Sequence, residues 1–241
     1  MKYLITKTLT FLFITALFTS CGVDMFNSVN GNRNVVTKNR KTNNDFTGIK
    51  VSTGIDVYLT QGNKNKITVE ADENLHDIII TEVKDDVLRI YSEQSIWRAK
   101  ARKVHVIIKD LKMLRATSGS DVYTENTITT DEISIAATSG ADIKISVNAN
   151  NVETSTTSGS DIKIAGTAIN HASSATSGSS IDAYYLESEN AIAKATSGAN
   201  INIYASQRLE AKATSGGDID FKGNPKQVTK KSSSGGSVSK K

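Results

Sequence analysis

Apolar and polar residues alternate strictly in several short segments of the chain. The clearest are residues 142–145, 161–164, 200–203 and 218–221, in which Ile or Phe alternates with Asp, Asn or Lys. A period of two predicts short β-strands with the apolar side chains on the inner face. No segment has the apolar stripe of period 3.6 that an amphipathic helix would need. The pattern therefore predicts an all-β chain.

A short motif, Thr or Ser followed by Ser-Gly, repeats along the second half of the chain. Its glycines are Gly119, Gly140, Gly159, Gly178, Gly198, Gly216 and Gly235. They follow one another at a nearly constant interval of about 20 residues, and a fixed period of this length is typical of a solenoid. We predict a parallel, right-handed β-helix with coils of about 20 residues, stacked about 4.8 Å apart.

An earlier copy of the motif lies near the start of the same region. Residues 52–58 align without gaps on residues 117–123, which pairs Gly54 with Gly119 and Asp56 with Asp121. The interval between the two glycines is close to three periods of the repeat. The strand-like runs between them predict either longer coils or a β-meander that caps the first exposed edge of the solenoid.

Each repeat glycine is expected to turn a corner at positive φ, where a Cβ would be strained. Two residues after it stands an Asp, Asn or Ser, so that these side chains should stack in a column. Adjacent carboxylates about 4.8 Å apart repel by about 0.9 kcal/mol in water, and something should compensate. We favour turns in which the side-chain oxygen accepts a backbone N–H, since Ser and Asn replace Asp in some coils; a Ca²⁺ site is the alternative. The turn motif comprises Gly54, Asp56, Gly119, Asp121, Gly140, Asp142, Gly159, Asp161, Gly178, Gly198, Asn200, Gly216 and Asp218.

Residues 1–20 have the pattern of a secretory signal peptide. Lys2 and Lys7 precede an apolar run at residues 9–18, which is too short to span a bilayer. Residues 17–22 resemble a bacterial lipobox, in which Cys21 would be acylated and become the new N-terminus. An ordinary signal peptide followed by a free cysteine is the alternative. Residues 21–45, rich in Asn, Lys and Arg, are expected to form a flexible tether.

Composition and charge narrow the function classes. The chain has 29 basic and 25 acidic residues, and the surplus shrinks when Lys2 and Lys7 are removed, so no nucleic-acid partner is indicated. The only cysteine excludes an internal disulfide. A basic cluster at residues 98–103 is interpreted as a solvated strand face or loop. His76, His105 and His171 are scattered and no catalytic motif is present, so we expect a protein that is not an enzyme.

The order of these motifs resembles a known family. Residues 46–51, 54–57 and 88–90, the repeated Ser-Gly-x-Asp-Ile and the closing residues 223–225 and 234–236 are similar to the head GIN domain family of auto-transporter adhesins. The resemblance covers about residues 45–238 and implies a β-helical envelope protein that is lipid-anchored or secreted. Together with the lipobox it leads us to expect an exported protein that is lipid-anchored in the envelope, with the outer membrane as the expected location. Whether it faces the surface or the periplasm is left open. The expected segments are an N-terminal β region at 46–114, the repeat β-helix at 115–238 and a basic tail at 239–241.

The resemblance and the residues together favour a binding module. A glycan or a protein is the expected ligand, with no cofactor apart from the Ca²⁺ alternative. Tyr184, Tyr185 and Tyr204 are the expected contact aromatics. The alternatives are a structural or sensory periplasmic lipoprotein and, less favoured, a Ca²⁺-dependent polysaccharide lyase, which would need longer loops than the regular repeat intervals leave.

Overall fold

The computed structural model describes residues 28–42 and 45–241. The signal peptide and Cys21 lie outside these residues. The described part contains one short 3₁₀ helix (Glu73–Leu75) and twenty strands. The strands are β1 (Val29–Asn30), β2 (Val35–Arg40), β3 (Gly48–Val51), β4 (Asp56–Gln61), β5 (Lys66–Asp72), β6 (Ile79–Lys84), β7 (Val87–Ser92), β8 (Ile96–Arg98), β9 (Arg102–Ile108), β10 (Met113–Thr117), β11 (Asp121–Thr124), β12 (Ile128–Thr138), β13 (Asp142–Thr157), β14 (Asp161–Thr176), β15 (Ser180–Thr196), β16 (Asn200–Tyr204), β17 (Arg208–Thr214), β18 (Asp218–Lys222), β19 (Gln227–Ser233) and β20 (Ser237–Lys240).

The repeats stack as a parallel β-solenoid, as predicted. Asp142 pairs with Asp161, and Asp161 with Ser180, so each coil lies one repeat further along the chain. In every coil, the wall before the Ser-Gly corner and the wall after it pair in parallel with the same walls of the neighbouring coils. We call these the pre-corner and post-corner walls. The sequence repeat therefore sets the register of the whole stack.

The interior is filled by the alternating apolar residues. Ile143, Ile145, Ile162 and Ile164 of the post-corner wall are all buried. The pre-corner wall contributes a buried column of small residues two positions before each corner serine: Ala116, Ala137, Thr156, Ala175, Ala195 and Ala213. Large side chains on one wall and small ones on the other fill a narrow coil, which explains why so few aromatics are needed.

Two hydrogen-bond ladders run along the stack. At the corners, each glycine N–H donates to the serine carbonyl of the next coil, as from Gly140 to Ser158 at 3.1 Å. On the other side of the coil an asparagine ladder joins three coils, since Asn170 donates to Asn151 at 2.9 Å and Asn190 donates to Asn170 at 3.1 Å. The ladders satisfy polar groups at the points where the chain bends.

The N-terminal coils do not stack in chain order. Strands β3 and β4 lie directly against β10 and β11, so Asp56 pairs with Asp121 across a long interval of sequence. On their other side β3 and β4 pair with β7 and β9, which come later in the chain. The interval between Gly54 and Gly119, close to three periods in length, is therefore not filled by three coils stacked in order. Residues 62–112 leave the stack after β4. They return as β7 and β9 on one side of β3 and β4, and the chain then crosses to β10 on the other side.

Antiparallel strands cover the outermost N-terminal coil. Strand β6 pairs with β7 through a hairpin in which Asp85 and Asp86 both have positive φ, while β5 pairs with β9 and β2 pairs with β5. Strand β2 lies within the segment expected to be a flexible tether, and the structure differs there. The expectation missed it because β2 has no buried residue and is held by backbone pairing, which leaves no apolar pattern in the sequence.

A buried carboxylate fixes this end of the molecule. Asp72, with 0% of its surface exposed, accepts backbone N–H groups of Arg33 at 2.9 Å, Lys100 at 3.1 Å and Ala101 at 3.0 Å. Burial opposes its ionisation, but the three donors outweigh burial and lower the pKa of Asp72 below its ordinary value. Asp72 thus joins the strands β2, β5 and β9 into one rigid end.

The C-terminal coil consists of β19 and β20. Strand β20 extends through Lys240, and Lys241 Nζ lies 3.2 Å from Asp220, so the expected basic tail at 239–241 belongs to this last coil. Lys230 occupies the column of the buried Ala211, with Nζ 4.7 Å from the ring centre of Phe221. Charged residues on an outermost strand oppose edge-to-edge association.

Candidate functional site

A concave surface lies where the coils bend between the two walls. It is a groove of about 730 Å³ across four coils, which we call the bend groove. Three consecutive residues from each of four successive coils line it, together with two residues of the coil that follows. They are Thr129, Thr130, Asp131, Asn148, Ala149, Asn150, Thr167, Ala168, Ile169, Glu187, Ser188, Glu189, Tyr204 and Ser206. Apart from Ala149, Ala168, Ile169 and the ring of Tyr204, these are hydrogen-bonding or acidic side chains.

Local sequence produces the concavity. In β13 the consecutive residues Asn150 and Asn151 are both exposed, which breaks the inward–outward alternation and marks the bend. In the next coil Gly166 has φ +119°, and a Cβ there would lie 1.9 Å from the carbonyl oxygen of Val147. The coil that begins with β16 leaves this path after Tyr204, so the tyrosine stands at the end of the groove.

The groove is acidic and its hydrogen-bonding groups are only partly used within the protein. Asn150 donates to Asp131 at 2.5 Å, and Thr167 donates to Asn148 at 3.0 Å. Glu187 and Glu189 are exposed and form no ion pair with any residue of the described ranges. No Lys or Arg lines the groove. It suits a ligand that is neutral or cationic and rich in hydroxyl or amide groups.

The three tyrosines expected to bind a ligand occupy different environments. Tyr204 lines the bend groove. Tyr185 is 73% exposed at a register shift between β14 and β15, where one extra residue bulges the chain. Tyr184 is half-buried under Lys222, whose Nζ lies 4.2 Å from the ring centre. Of the three tyrosines, Tyr204 lines the bend groove, and Tyr184 and Tyr185 do not.

The aspartate column is present in the register that the sequence predicts. It runs Asp56, Asp121, Asp142, Asp161, Ser180, Asn200, Asp218 and Ser237. Partial burial, followed by the charges of Asp121 and Asp161 on either side, raises the pKa of Asp142. Burial and the charge of Asp56 raise the pKa of Asp121 in the same way. The column is electrostatically strained at neutral pH.

A serine next to the column residue closes the turn at two corners, in addition to the hydrogen bonds that Asp121 and Asp142 accept from the backbone N–H groups of Asp142 and Asp161. Ser160, one position earlier, is buried; its Oγ accepts the N–H of Thr157 at 3.2 Å and donates to the carbonyl of Ala137 at 2.8 Å. Ser179 repeats the pattern, accepting the N–H of Thr176 at 3.2 Å. The side chain of the small residue directly after the glycine points into the coil, whereas the side chain of the aspartate that follows it points outward.

Both central residues of each corner are left-handed. Ser158 has φ +57° and Gly159 has φ +67°, as in a type I′ turn, and the other corners repeat these values. A Cβ on Gly159 would meet no atom within 4 Å. The glycine is required by its backbone conformation and not by space.

A family model described as "Putative auto-transporter adhesin, head GIN domain" matches residues 45–225. The chain belongs to this family. Among solved structures, the head GIN domain is similar to a protein of Bacteroides fragilis described as a "putative adhesin", with a TM-score of 0.82, 21% identity and coverage of 89% of this chain and 100% of that one. No curated protein matches its sequence.

Two further solved structures have the same fold. A protein of Parabacteroides distasonis described as lipid binding has a TM-score of 0.72 and 22% identity, and covers 89% of this chain and 99% of its own. A protein of Parabacteroides merdae described as a "putative adhesin" has a TM-score of 0.70 and 24% identity, with the same coverage. The family indicates a protein of the cell envelope or cell surface. Within residues 28–42 and 45–241, no helix of this head GIN domain is long and apolar enough to span a membrane.

The outward face of the N-terminal coils of the head GIN domain carries an aromatic stack. Tyr58 lies between His105 and Tyr123, with ring centres 5.3 and 5.6 Å apart, and Lys103 Nζ is 5.6 Å from the Tyr58 ring centre. Sequence reasoning missed the stack. The alignment of residues 52–58 on 117–123 already paired the two tyrosines and could have revealed it.

The three histidines lie apart. His76 and His171 are buried, and His105 Nε2 lies 3.2 Å from Glu70. Burial lowers the pKa of His171 to about 4, and burial also lowers that of His76. In the part of the chain that the structure describes, no three His, Cys, Asp or Glu residues are placed to hold one metal ion.

Proposed function

We propose that the bend groove binds a neutral glycan without catalysis, and that the protein displays this groove from a lipid anchor on the cell envelope. The observation that carries the proposal is the groove itself: a polar, acidic surface across four coils with Tyr204 at its end. Ligand sites combine an apolar or aromatic surface with a few placed polar groups.

The charge of the groove selects the class of glycan. Asp131, Glu187 and Glu189 would repel uronic acids and sulfated sugars but can accept hydrogen bonds from neutral sugar hydroxyls. The Tyr204 ring offers an apolar face with a hydroxyl at its tip, a combination common in binding surfaces. Three coil spacings make a groove about 14 Å long, which is enough for a short oligosaccharide.

The anchor is the acylated Cys21 that the sequence predicts, and the outer membrane is its proposed location. Acylation supplies stable attachment when more than one chain is added, since each buried CH₂ contributes about 0.8 kcal/mol. Metabolic labelling with tritiated palmitate tests this part. Label in the wild-type full chain that is lost in Cys21→Ser supports the anchor, and equal labelling of the two refutes it.

The glycan proposal is tested with the soluble chain from Gly22 on an array of neutral and acidic glycans. We expect neutral glycans to bind, and binding to fall in Tyr204→Phe and in the double variant Glu187→Gln, Glu189→Gln. Glu153→Gln is the matched control, because it neutralises an exposed carboxylate outside the groove.

Other outcomes would overturn the proposal. Preference for acidic glycans, or equal loss in the Glu153→Gln control, would exclude the bend groove as the site. Capture of a protein ligand in place of any glycan would move the function to protein adhesion. Failure to bind either class, with an envelope defect in a deletion strain, would favour the structural or sensory alternative. Chemical change in a bound glycan would show an enzyme.

A further inference from the structure

The N-terminal end of the molecule carries a basic surface with an exposed tryptophan. A depression of about 490 Å³ is lined by Arg33, Asp56, Trp97, Arg98, Ala99, Lys100, Ala101, Arg102 and Lys103. We call its five cations and Trp97 the basic end patch. Trp97 is 51% exposed and is the only tryptophan of the chain. The bend groove, on later coils of the stack, does not include any of these residues.

The charge of the patch is only slightly compensated. Arg33, Arg98 and Lys100 are exposed, and none of them forms an ion pair within the described ranges. Lys103 Nζ is 4.0 Å from Glu70, which His105 approaches more closely at 3.2 Å. Asp56 is the one acid in the lining.

The patch is rigid. Strand β8, which carries Trp97 and Arg98, pairs with β1, and the N–H groups of Lys100 and Ala101 are held by the buried Asp72. The same carboxylate accepts the N–H of Arg33, so both sides of the patch depend on one anchor point. Such a surface meets a partner without the entropic cost of ordering a loop.

The position of the patch in the chain places it close to the proposed lipid anchor. Strand β1, which lies against the patch, begins at Val29, and six residues separate Cys21 from Ser28. Whatever their conformation, they span at most about 25 Å between those two residues. An acyl anchor on Cys21 would therefore hold this end of the solenoid close to the bilayer, and the bend groove on later coils would lie further from it.

We propose that the basic end patch is a membrane-contact surface that docks on the anionic phospholipid headgroups of the bilayer carrying the anchor. Each Lys or Arg close to an anionic bilayer surface raises the affinity of a protein for that surface about fivefold. Tryptophan is enriched at the headgroup level because its ring is apolar and its N–H is polar. The orientation rests on the proposed acylation of Cys21, whereas the affinity of the patch for headgroups does not.

The test uses the unacylated chain from Gly22, which contains every residue that the structure describes. It is mixed with vesicles of phosphatidylcholine and phosphatidylglycerol in equal amounts, or of phosphatidylcholine alone. We expect sedimentation with the mixed vesicles only, weakening as salt is added. The emission of the single tryptophan should shift to the blue on binding, because Trp97 leaves water.

Matched pairs of substitutions locate the surface. Arg98→Ser with Lys100→Ser should weaken sedimentation about 25-fold, since two charges near the surface are lost. Lys226→Ser with Lys231→Ser removes the same charge from exposed positions at the other end of the stack and should leave binding unchanged. Trp97→Ser should weaken binding without changing its salt dependence.

Several results would overturn the inference: equal binding to both vesicle types, equal loss in the two lysine and arginine pairs, or an unshifted Trp97 emission on sedimented protein. Binding of a soluble acidic polysaccharide without any vesicle binding would reassign the patch to that partner. The palmitate label separates the two proposals. Vesicle binding by the unacylated chain, without label in the full chain, would refute the lipid anchor and support the patch. Label in the full chain without vesicle binding would support the anchor and refute the patch.

Discussion

We expect His171 to make the solenoid sensitive to mild acid. It lies in an interior column between Val152 and Ala191, with 1% of its surface exposed. Its Nε2 is 2.9 Å from Thr154 Oγ1, and its Nδ1 has no partner in the described part of the chain. Burial lowers the pKa to about 4, so the folded protein holds this ring neutral over the range in which an exposed histidine would be protonated.

The sign and size of the effect follow from proton linkage. The unfolded chain has a histidine pKa of about 6.5 and takes up the proton first as pH falls. The contribution of His171 to stability is therefore full above about pH 6.5 and is lost progressively towards pH 4. From the pKa of about 4, the loss is roughly 2 kcal/mol at pH 5 and roughly 3 kcal/mol in total.

The perturbation is His171→Val combined with Thr154→Val, which extends the apolar column and leaves neither polar group unpaired. The free energy of unfolding is measured with urea by circular dichroism at pH 7.5 and pH 5. We expect the double variant to lose about 2 kcal/mol less than the wild type between these pH values. His105→Gln, at a half-exposed site, is the control and should retain the wild-type loss. If the double variant has the same pH dependence as the wild type, the buried neutral ring is not the cause.

Three further predictions concern the corner, the column and the N-terminal end. Asp142→Asn should stabilise the fold by about 1 kcal/mol in urea unfolding near pH 7, because repulsion from two neighbouring charges about 4.8 Å away, reduced by physiological screening, is removed. The gain should disappear near pH 3. If Ca²⁺ stabilises the wild type and not the variant, the column holds a cation instead. Gly159→Ala should cost about 1 kcal/mol through its left-handed backbone, whereas Gly166→Ala should cost several times more by clashing with a carbonyl, and similar losses in the two variants would contradict the distinction. Asp72→Asn should lower the free energy of unfolding by about 2 kcal/mol and speed amide exchange at Lys100 in hydrogen-exchange measurements. Because the pKa of Asp72 is lowered, the contribution of this carboxylate to stability should persist above about pH 4 and be lost below it. Unchanged exchange at Lys100 would refute the role of the carboxylate.

The repeat region could be predicted because one rule acts many times in it. The spacing of Gly140, Gly159 and Gly178 sets the register of the coils, and the alternation of Ile143 and Ile145 sets which side faces inward. Each feature depends on neighbours within the same repeat. A local pattern that recurs is therefore enough to define the stack.

The rest depends on contacts that leave no local pattern. The pairing of Asp56 with Asp121 is visible in the sequence, but the return of residues 87–108 to the opposite side is not, since nothing local distinguishes one neighbour from the other. The part of Ser160 in the turn was missed because the direction of a side chain just after a positive-φ residue depends on the corner geometry. The bend groove was missed because its concavity arises from Gly166 and from the early exit of the chain at Tyr204.

The crossed order of the N-terminal coils has a consequence for the time at which each part of the chain can fold. Strands β3 and β4 are bordered on both sides by strands that are made later. Strand β3 has no partner until β7, which ends at Ser92, has emerged from the ribosome or the export channel, and β4 has none until β9, which ends at Ile108, has followed. The later coils need only the coil before them, one repeat back, and can add one at a time as they appear. Export would therefore deliver a long first segment that must wait before it folds, followed by a segment that assembles as fast as it arrives.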